Sequence, residues 1–201
     1  MLQQTQVERV IPKYHEFLRK YPTFEALARA PVREVKRTWY PLGYNIRPVH
    51  LHGIARETVA RYNGRLPSDE KALRQFKGIG PYTAGALRSF AFKRDAPILD
   101  TNVRRVLGRV FLGPRRFRAL RGQKALWDLS AALVPRGKAY DFNQALMDFG
   151  ATWCMPRNPR CLPCPMKGFC KSYPLTPPSS PLTLPSPPLG ERIKVRGRGQ
   201  R

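Results

Sequence analysis

Four cysteines lie within one short segment of the chain, and four thiolates are a ligand set for a metal centre. Cys154, Cys161, Cys164 and Cys170 follow the spacing C-x6-C-x2-C-x5-C. Such a set holds either a [4Fe–4S] cluster or a Zn²⁺ ion. Structural zinc sites usually pair two C-x2–4-C knuckles, and only Cys161 and Cys164 form one here, so the spacing favours iron–sulfur but leaves zinc open. Disulfides are less expected, because a disulfide-stapled domain spreads its cysteines across the fold, and we therefore expect a cytoplasmic protein.

A carboxylate with a possible chemical role, Asp100, stands in the segment PILDTNVRRV, between two apolar residues and a helical pattern. Its position suits a helix N-cap, where the side chain accepts a backbone N–H bond. A carboxylate there can also stabilise the cation that develops when an N-glycosidic bond breaks through an oxocarbenium-like state. The two roles are compatible, and the position of the residue leaves both open.

A glycine-rich turn, within FKGIGPYTAGA, precedes Asp100 by some 20 residues. Gly78 and Gly80 permit positive φ angles and the close approach of another chain, and Pro81 supplies the fixed φ of a first helical turn. The free N–H groups of that turn would face outward beside the glycines, which favours phosphate binding. A tight corner between helices is the simpler explanation. Because the chain is strongly basic, we interpret residues 69–92 as a DNA-binding helix–hairpin–helix.

The chain carries a large positive charge. Its 201 residues include 37 Lys and Arg against 13 Asp and Glu, a net charge of +24, and residues 174–201 hold only five of those basic residues. Such a surplus repels itself unless an anion neutralises it. No apolar run approaches the ~20 residues that span a bilayer, and no signal peptide is recognisable. We expect nucleic acid as the partner and no membrane, with structural RNA left open by charge alone.

The elements that must position these residues are predicted to be helical, since amphipathic segments recur without a strand alternation. Thr23 and Ser68 stand at N-cap positions. The predicted helices cover residues 2–20, 24–30, 32–39, 47–63, 69–75, 82–92, 101–111, 122–134 and 140–149. The fold class is therefore all-α. Residues 174–201 contain seven prolines and no periodic apolar face, which predicts a disordered Pro-rich basic tail.

Together these motifs resemble the helix–hairpin–helix/Gly-Pro-Asp DNA glycosylase superfamily, and within it the A/G-specific adenine DNA glycosylases. The segments MLQQTQV, LGYN, GIGPYTAGA, ILDTNV and FNQALMDFGATWC carry the resemblance across residues 1–173. It implies a two-lobed all-α glycosylase domain over residues 1–153 and an iron–sulfur loop over 154–170. It also implies a [4Fe–4S] cluster on the four cysteines. The implied partner is double-stranded DNA with a mismatch, bound by a monomer in the cytoplasm at the nucleoid.

The resemblance also implies a reaction, the hydrolysis of the N-glycosidic bond of adenine mispaired with guanine or 8-oxoguanine in base excision repair. Endonuclease III-type relatives carry a lysine at the position of Tyr82, and tyrosine cannot form a Schiff base, so a monofunctional enzyme that uses water is expected. Asp100 would stabilise the cation, Tyr82 would line the base pocket, and Asn102 would hold the water or the sugar.

The implied DNA contacts form two sets, the lesion-facing residues and the hairpin. Without the resemblance, the first set would be read as a polar helix face and an ordinary tyrosine. The lesion-facing residues are Gln3, Gln4 and Thr5, with Tyr44 as an aromatic wedge. The hairpin residues are Lys77, Gly78, Gly80 and Thr83.

The sequence departs from the resembled pattern in three places. The family has a glutamate two residues before the position of Met1, which protonates adenine N7, and we expect impaired catalysis without this general acid. A second domain that recognises 8-oxoguanine usually follows where residues 174–201 stand. Thr101 replaces a glycine that is common there. The alternatives are another mismatch glycosylase, acting on thymine or uracil, and a non-catalytic DNA-binding remnant.

Overall fold

The computed structural model describes residues 1–2, 5–44, 46–120 and 122–173, and within them every regular element is helical. The ten α-helices are α1 (Val7–Lys20), α2 (Phe24–Arg29), α3 (Val32–Trp39), α4 (Ile46–Tyr62), α5 (Glu70–Gln75), α6 (Pro81–Ala86), α7 (Thr101–Leu107), α8 (Gly113–Ala119), α9 (Lys124–Leu133) and α10 (Ala139–Thr152). Two π-helical turns, Leu87–Ala91 and Gly108–Leu112, continue α6 and α7. The predicted all-α fold class is confirmed for this part of the chain. The predicted tail, residues 174–201, lies outside it.

Local sequence signals set most of the helix boundaries. The hydroxyl of Thr23 accepts the N–H of Ala26 and caps α2, as predicted. The predicted cap at Ser68 is wrong, because the carboxylate of Asp69 accepts the N–H of Ala72 at 2.9 Å and caps α5. A capping side chain must stand three residues before the N–H that it accepts, and a carboxylate also complements the positive end of the helix.

The sequence did not predict α8. Gly113 turns the chain with a φ of +74°. Pro114 then stands in the first turn of α8, where its missing N–H costs nothing. The predicted first helix also began too early, since α1 starts at Val7.

The apolar side chains form three separate clusters. The first lies among α1 to α4 and includes Phe17 and Trp39. The second joins α7 and α9 to the segment before Asp100 and includes Ile98 and Leu126. The third lies inside the hairpin, where Phe76 packs with neighbours from α5 and α6. No helix in the described ranges is long and apolar enough to cross a membrane.

The hairpin's second helix packs directly on the extended segment that leads to Asp100. A Cβ atom added to Gly85 would stand 2.2 Å from the carbonyl oxygen of Pro97, which is a backbone atom that cannot rotate away. Only glycine allows this approach. The contact therefore sets the distance between the hairpin and Asp100.

We expect Gly85→Ala to lower the free energy of unfolding by about 1–3 kcal/mol, because the added methyl group overpacks a fixed backbone contact. Gly53→Ala is the control. Gly53 lies inside α4 with open space around it, so alanine there should raise stability by about 0.5–1 kcal/mol. Urea unfolding measures both, and equal effects of the two substitutions would contradict the packing account.

Candidate active site and nucleic-acid interface

The turn between α5 and α6 is shaped by one left-handed residue. Gly78 has a φ of +97°, and Ile79 donates its N–H to the carbonyl of Phe76 at 3.1 Å. Gly80 does not use the conformational freedom of glycine, because its φ of −88° belongs to an extended N-cap. Gly80 contributes space instead, since no atom lies within 4 Å of where its Cβ would be. Pro81 is the first residue of α6, as predicted.

The turn rests on α4. A Cβ atom on Gly78 would lie 2.8 Å from Nδ1 of His50, so the imidazole supports the hairpin from below. Lys77 is exposed on the turn, and Thr83 is half-buried in the first turn of α6. The hairpin thus exposes glycine backbone and a lysine side chain, and α4 supports it through His50.

Asp100 is the N-cap of α7, which confirms the structural part of its prediction. Its Oδ1 accepts the N–H of Val103 at 2.6 Å. Oδ2 accepts no hydrogen bond from the described residues, and the residue is half-buried. One carboxylate oxygen therefore fixes the side chain, and the other is available to a ligand.

Tyr82 lies near this carboxylate. Burial raises the pKa of the Tyr82 hydroxyl, and the negative charge of Asp100 raises it further. The phenol therefore stays protonated at neutral pH. Its ring packs on the apolar cluster that contains Ile98 and Leu99. A carboxylate beside a protonated phenol and an apolar wall can bind an uncharged ring and stabilise a cation next to it.

Asn102, the third predicted catalytic residue, is held by a buried arginine. The guanidinium of Arg105 donates to Oδ1 of Asn102 at 2.9 Å and to the carbonyl of Gly150 at 2.6 Å. Its Nε donates to the carbonyl of Cys154 at 2.8 Å. The Arg105 side chain thus joins Asn102 to α10 and to the first cysteine of the loop.

A second buried arginine, one helical turn further on, holds the start of the cysteine loop. Arg109 donates to the carbonyls of Met155 at 2.7 Å and Pro156 at 3.1 Å. It also reaches the carbonyl of Cys154 at 3.3 Å and its Sγ at 3.5 Å. Arg105 and Arg109 are only 5% and 8% exposed. The loop is therefore tied to α7 through its backbone.

The four cysteines line a single cavity, together with apolar side chains such as Phe149 and Trp153. All four are free thiols, which contradicts the disulfide alternative. No group of three or more His, Cys, Asp or Glu side chains in the described ranges is placed to hold a metal ion. Burial raises the pKa of the Cys170 thiol, and the charges of the other three cysteines raise it further. Four thiolates gathered in this cavity would repel one another without a cationic centre.

Two of the residues that are predicted to face the lesion, Thr5 and Tyr44, lie in segments that contact each other. Tyr44 is 55% exposed and has a φ of +48°. Thr5 donates its hydroxyl to the carbonyl of Leu42 at 3.3 Å. Gln3 and Gln4 lie outside the described residues.

Sequence reasoning missed the three buried or half-buried arginines, Arg47, Arg105 and Arg109. A signal for two of them was present, because Arg105 and Arg109 lie four residues apart in the mostly apolar helical run VRRVLGRVFL. Their acceptors are backbone carbonyls about 45 residues away. No local pattern identifies such partners.

A helical hairpin with exposed glycine backbone, set close to a capped aspartate in a basic all-α chain, defines a class of proteins that act on DNA bases. The chain belongs to the HhH-GPD superfamily of base excision DNA repair proteins, whose sequence profile matches residues 1–130. This membership confirms the predicted superfamily.

Individual relatives divide between two specificities. The chain is 38% identical over 173 residues to an adenine DNA glycosylase of Buchnera aphidicola, covering 86% of this chain and 49% of that protein. It is 38% identical over 175 residues to a thymine/uracil-DNA glycosylase of Methanothermobacter thermautotrophicus, covering 86% of this chain and 78% of that one. A solved thermostable thymine-DNA glycosylase superposes with a TM-score of 0.79 at 38% identity, covering 86% of this chain and 79% of the other. The chain thus spans about half the length of the adenine-specific relative.

Asparagine and alanine at position 100 should separate the structural role of the carboxylate from its charge. We expect Asp100→Ala to lower the unfolding free energy by about 1 kcal/mol, because the cap of α7 is lost. Asp100→Asn should stay close to the wild type, since an amide oxygen also caps. Chemical denaturation measures both. Equal destabilisation by the two substitutions would show that the charge itself, rather than the cap, supports the fold.

Removal of the Arg109 guanidinium should loosen the cysteine loop. Arg109→Met keeps most of the side-chain volume but leaves the carbonyls of residues 155 and 156 without their donor, and buried unpaired carbonyls are unfavourable. We expect faster hydrogen exchange across residues 154–170. The matched control is Arg116→Met, since Arg116 is exposed on α8. Unchanged exchange in the loop would contradict the anchoring role.

Proposed function

We propose that the chain is a monofunctional DNA N-glycosylase that removes adenine mispaired with guanine or 8-oxoguanine. The observation that carries the proposal is the state of Asp100, whose carboxylate is fixed through Oδ1 and free at Oδ2, beside the protonated phenol of Tyr82. This is the environment that an oxocarbenium-like cation needs, a fixed negative charge that requires no reorganisation during the reaction.

The residues divide the reaction between them. The bond between the sugar C1′ and the base nitrogen breaks, its electron pair leaves with the base, which takes up a proton from solvent, and Asp100 stabilises the cation on the sugar. Water then adds to C1′ and loses a proton to solvent, with Asn102 positioning the water or the sugar. Tyr82 lines the pocket and supplies no amine, so no Schiff base forms and the DNA strand stays intact.

The hairpin supplies the grip on DNA in this proposal. Lys77, Gly78, Gly80 and Thr83 hold a phosphate through backbone N–H groups and one positive charge. Gln3, Gln4 and Thr5 face the lesion, and Tyr44 enters the base stack. An intercalating side chain offsets part of the cost of unstacking, which is a few kcal/mol. The chain would act as a monomer at the nucleoid in the cytoplasm, with a glycosylase domain over residues 1–153 and a disordered basic tail over 174–201.

The cysteine loop, residues 154–170, has the donor set of a [4Fe–4S] cluster, in which each thiolate binds a different iron, so the four sulfurs need not converge on one ion. Four free thiols line one cavity, and the nearby guanidinium of Arg109 complements the negative charge of a thiolate-bound cluster. Cys154, Cys161, Cys164 and Cys170 would hold it. The cluster would supply a rigid cross-link of the loop, and the hydrolysis does not depend on it. Metal analysis of purified protein separates this proposal from zinc.

Thymine or uracil opposite guanine is the second candidate substrate. The chain covers 78% of the thymine/uracil-specific relative but 49% of the adenine-specific one. The match to the thymine/uracil-specific relative therefore extends over most of that protein's length.

Single-turnover base release from duplexes with A:8-oxoguanine, A:G, T:G and U:G tests the proposal. We expect release of adenine alone, and loss of release in Asp100→Asn at unchanged DNA affinity, because the amide keeps the cap but not the charge.

A matched form with Glu-Val fused ahead of Met1 restores the general acid that the resemblance implies. General acids contribute typically 10²- to 10⁴-fold, and we expect faster release from the fused form. Release of thymine or uracil instead favours the second candidate, and DNA binding without any release favours a non-catalytic remnant.

A further inference from the structure

Arg47, at the start of α4, binds two segments that are far apart in the sequence. Its Nη1 donates to the carbonyl of Met1 at 2.9 Å, and its Nη2 to Oγ1 of Thr5 at 3.1 Å. Nη2 also donates to the carbonyl of Leu42 at 3.2 Å and lies 3.4 Å from that of Gly43. The first two acceptors flank Gln3 and Gln4, and the last two directly precede Tyr44.

The guanidinium plane is also held between two aromatic rings. Its central carbon lies 5.2 Å from the ring centroid of Trp39 and 5.2 Å from that of Tyr44. Trp39 is 2% exposed and donates its Nε1–H to the carbonyl of Gly43 at 3.1 Å. Packing in the core fixes the Trp39 ring. Arg47 contacts this ring and the exposed Tyr44 ring, and so restricts the position of Tyr44.

This geometry requires arginine rather than a positive charge alone. A planar fork donates in several directions at once and stacks on rings, whereas a lysine ammonium is a compact point charge on a flexible stem. Lysine at position 47 can keep the charge and one hydrogen bond. It cannot span Met1, Thr5 and Leu42 together.

We infer that Arg47 is a positioning residue that ties Met1 and Thr5 to the loop of residues 40–44 as one rigid unit. The inference rests on the proposed function, in which both segments read the mismatch. Arg47 therefore governs discrimination between mismatched and matched duplex. The hairpin's hold on the DNA backbone does not require it, because Arg47 donates to Met1, Thr5 and Leu42, whereas the hairpin contacts His50.

The experiment compares Arg47→Lys with Arg56→Lys, a control on the exposed side of the same helix. Both are placed in the Asp100→Asn chain so that the target base stays attached. Equilibrium binding is measured for an A:8-oxoguanine duplex and for its matched A:T counterpart. Hydrogen exchange is followed by mass spectrometry in peptides that cover residues 1–11 and 39–46, the hairpin and the cysteine loop.

We expect Arg47→Lys to reduce the preference for the mismatched duplex by roughly 10- to 100-fold, the effect of losing charge-assisted hydrogen bonds. Affinity for the matched duplex should stay unchanged, and exchange should accelerate only in residues 1–11 and 39–46. The control should behave as its parent. Preserved discrimination, or an equal loss on both duplexes, overturns the inference. If the parent itself shows no preference, the proposed mismatch specificity fails, and unchanged exchange in Arg47→Lys then overturns the rigid unit independently.

Discussion

The buried pair of guanidiniums on α7 and its π-helical continuation is the interaction on which the rest of the structure depends. A buried charge is tolerated only where hydrogen bonds surround it. Arg105 and Arg109 meet that condition with acceptors from three places, Asn102 in the same helix, Gly150 in α10 and the carbonyls that begin the cysteine loop. The helix that starts at Asp100 is thereby fixed against the last helix and the loop. The same hydrogen bonds therefore fix the position of the Asp100 carboxylate and the position of the cysteine loop.

The same physical device recurs in the first half of the chain. Arg47 is half-buried, bridges segments more than 35 residues apart and lies between aromatic rings. In both places, segments without regular structure are held by a planar cation that binds several acceptors in fixed directions. Loops positioned in this way can carry function without the support of a sheet. The strongly basic composition thus serves two purposes, since exposed cations create an attractive field for DNA and buried ones organise the loops.

The dual use of Asp100 explains how a small helical domain can preorganise a charge. Capping consumes one oxygen and holds the side chain in a single orientation. The other oxygen accepts no hydrogen bond from the described residues, and the charge of Asp100 acts on the hydroxyl of Tyr82. Gly85, in contact with Pro97, sets how close the glycine-rich turn comes to this charge. The cap at Asp100 and the contact between Gly85 and Pro97 therefore serve both the stability of the fold and the proposed chemistry.

Local features of the fold and site followed from the sequence. Helix periodicity, the cap at Thr23, the proline that begins α6 and the cap at Asp100 each depend on residues within one or two turns, and the structure agrees with them. The motif residues of the superfamily were recognisable for the same reason. Tertiary structure alone decided that His50 supports Gly78, that Gly78 but not Gly80 has a positive φ, and that Arg105 and Arg109 bind carbonyls some 45 to 49 residues away. Backbone carbonyls are the same at every position, so a sequence shows which donor is present but cannot show which distant acceptor folding brings to it.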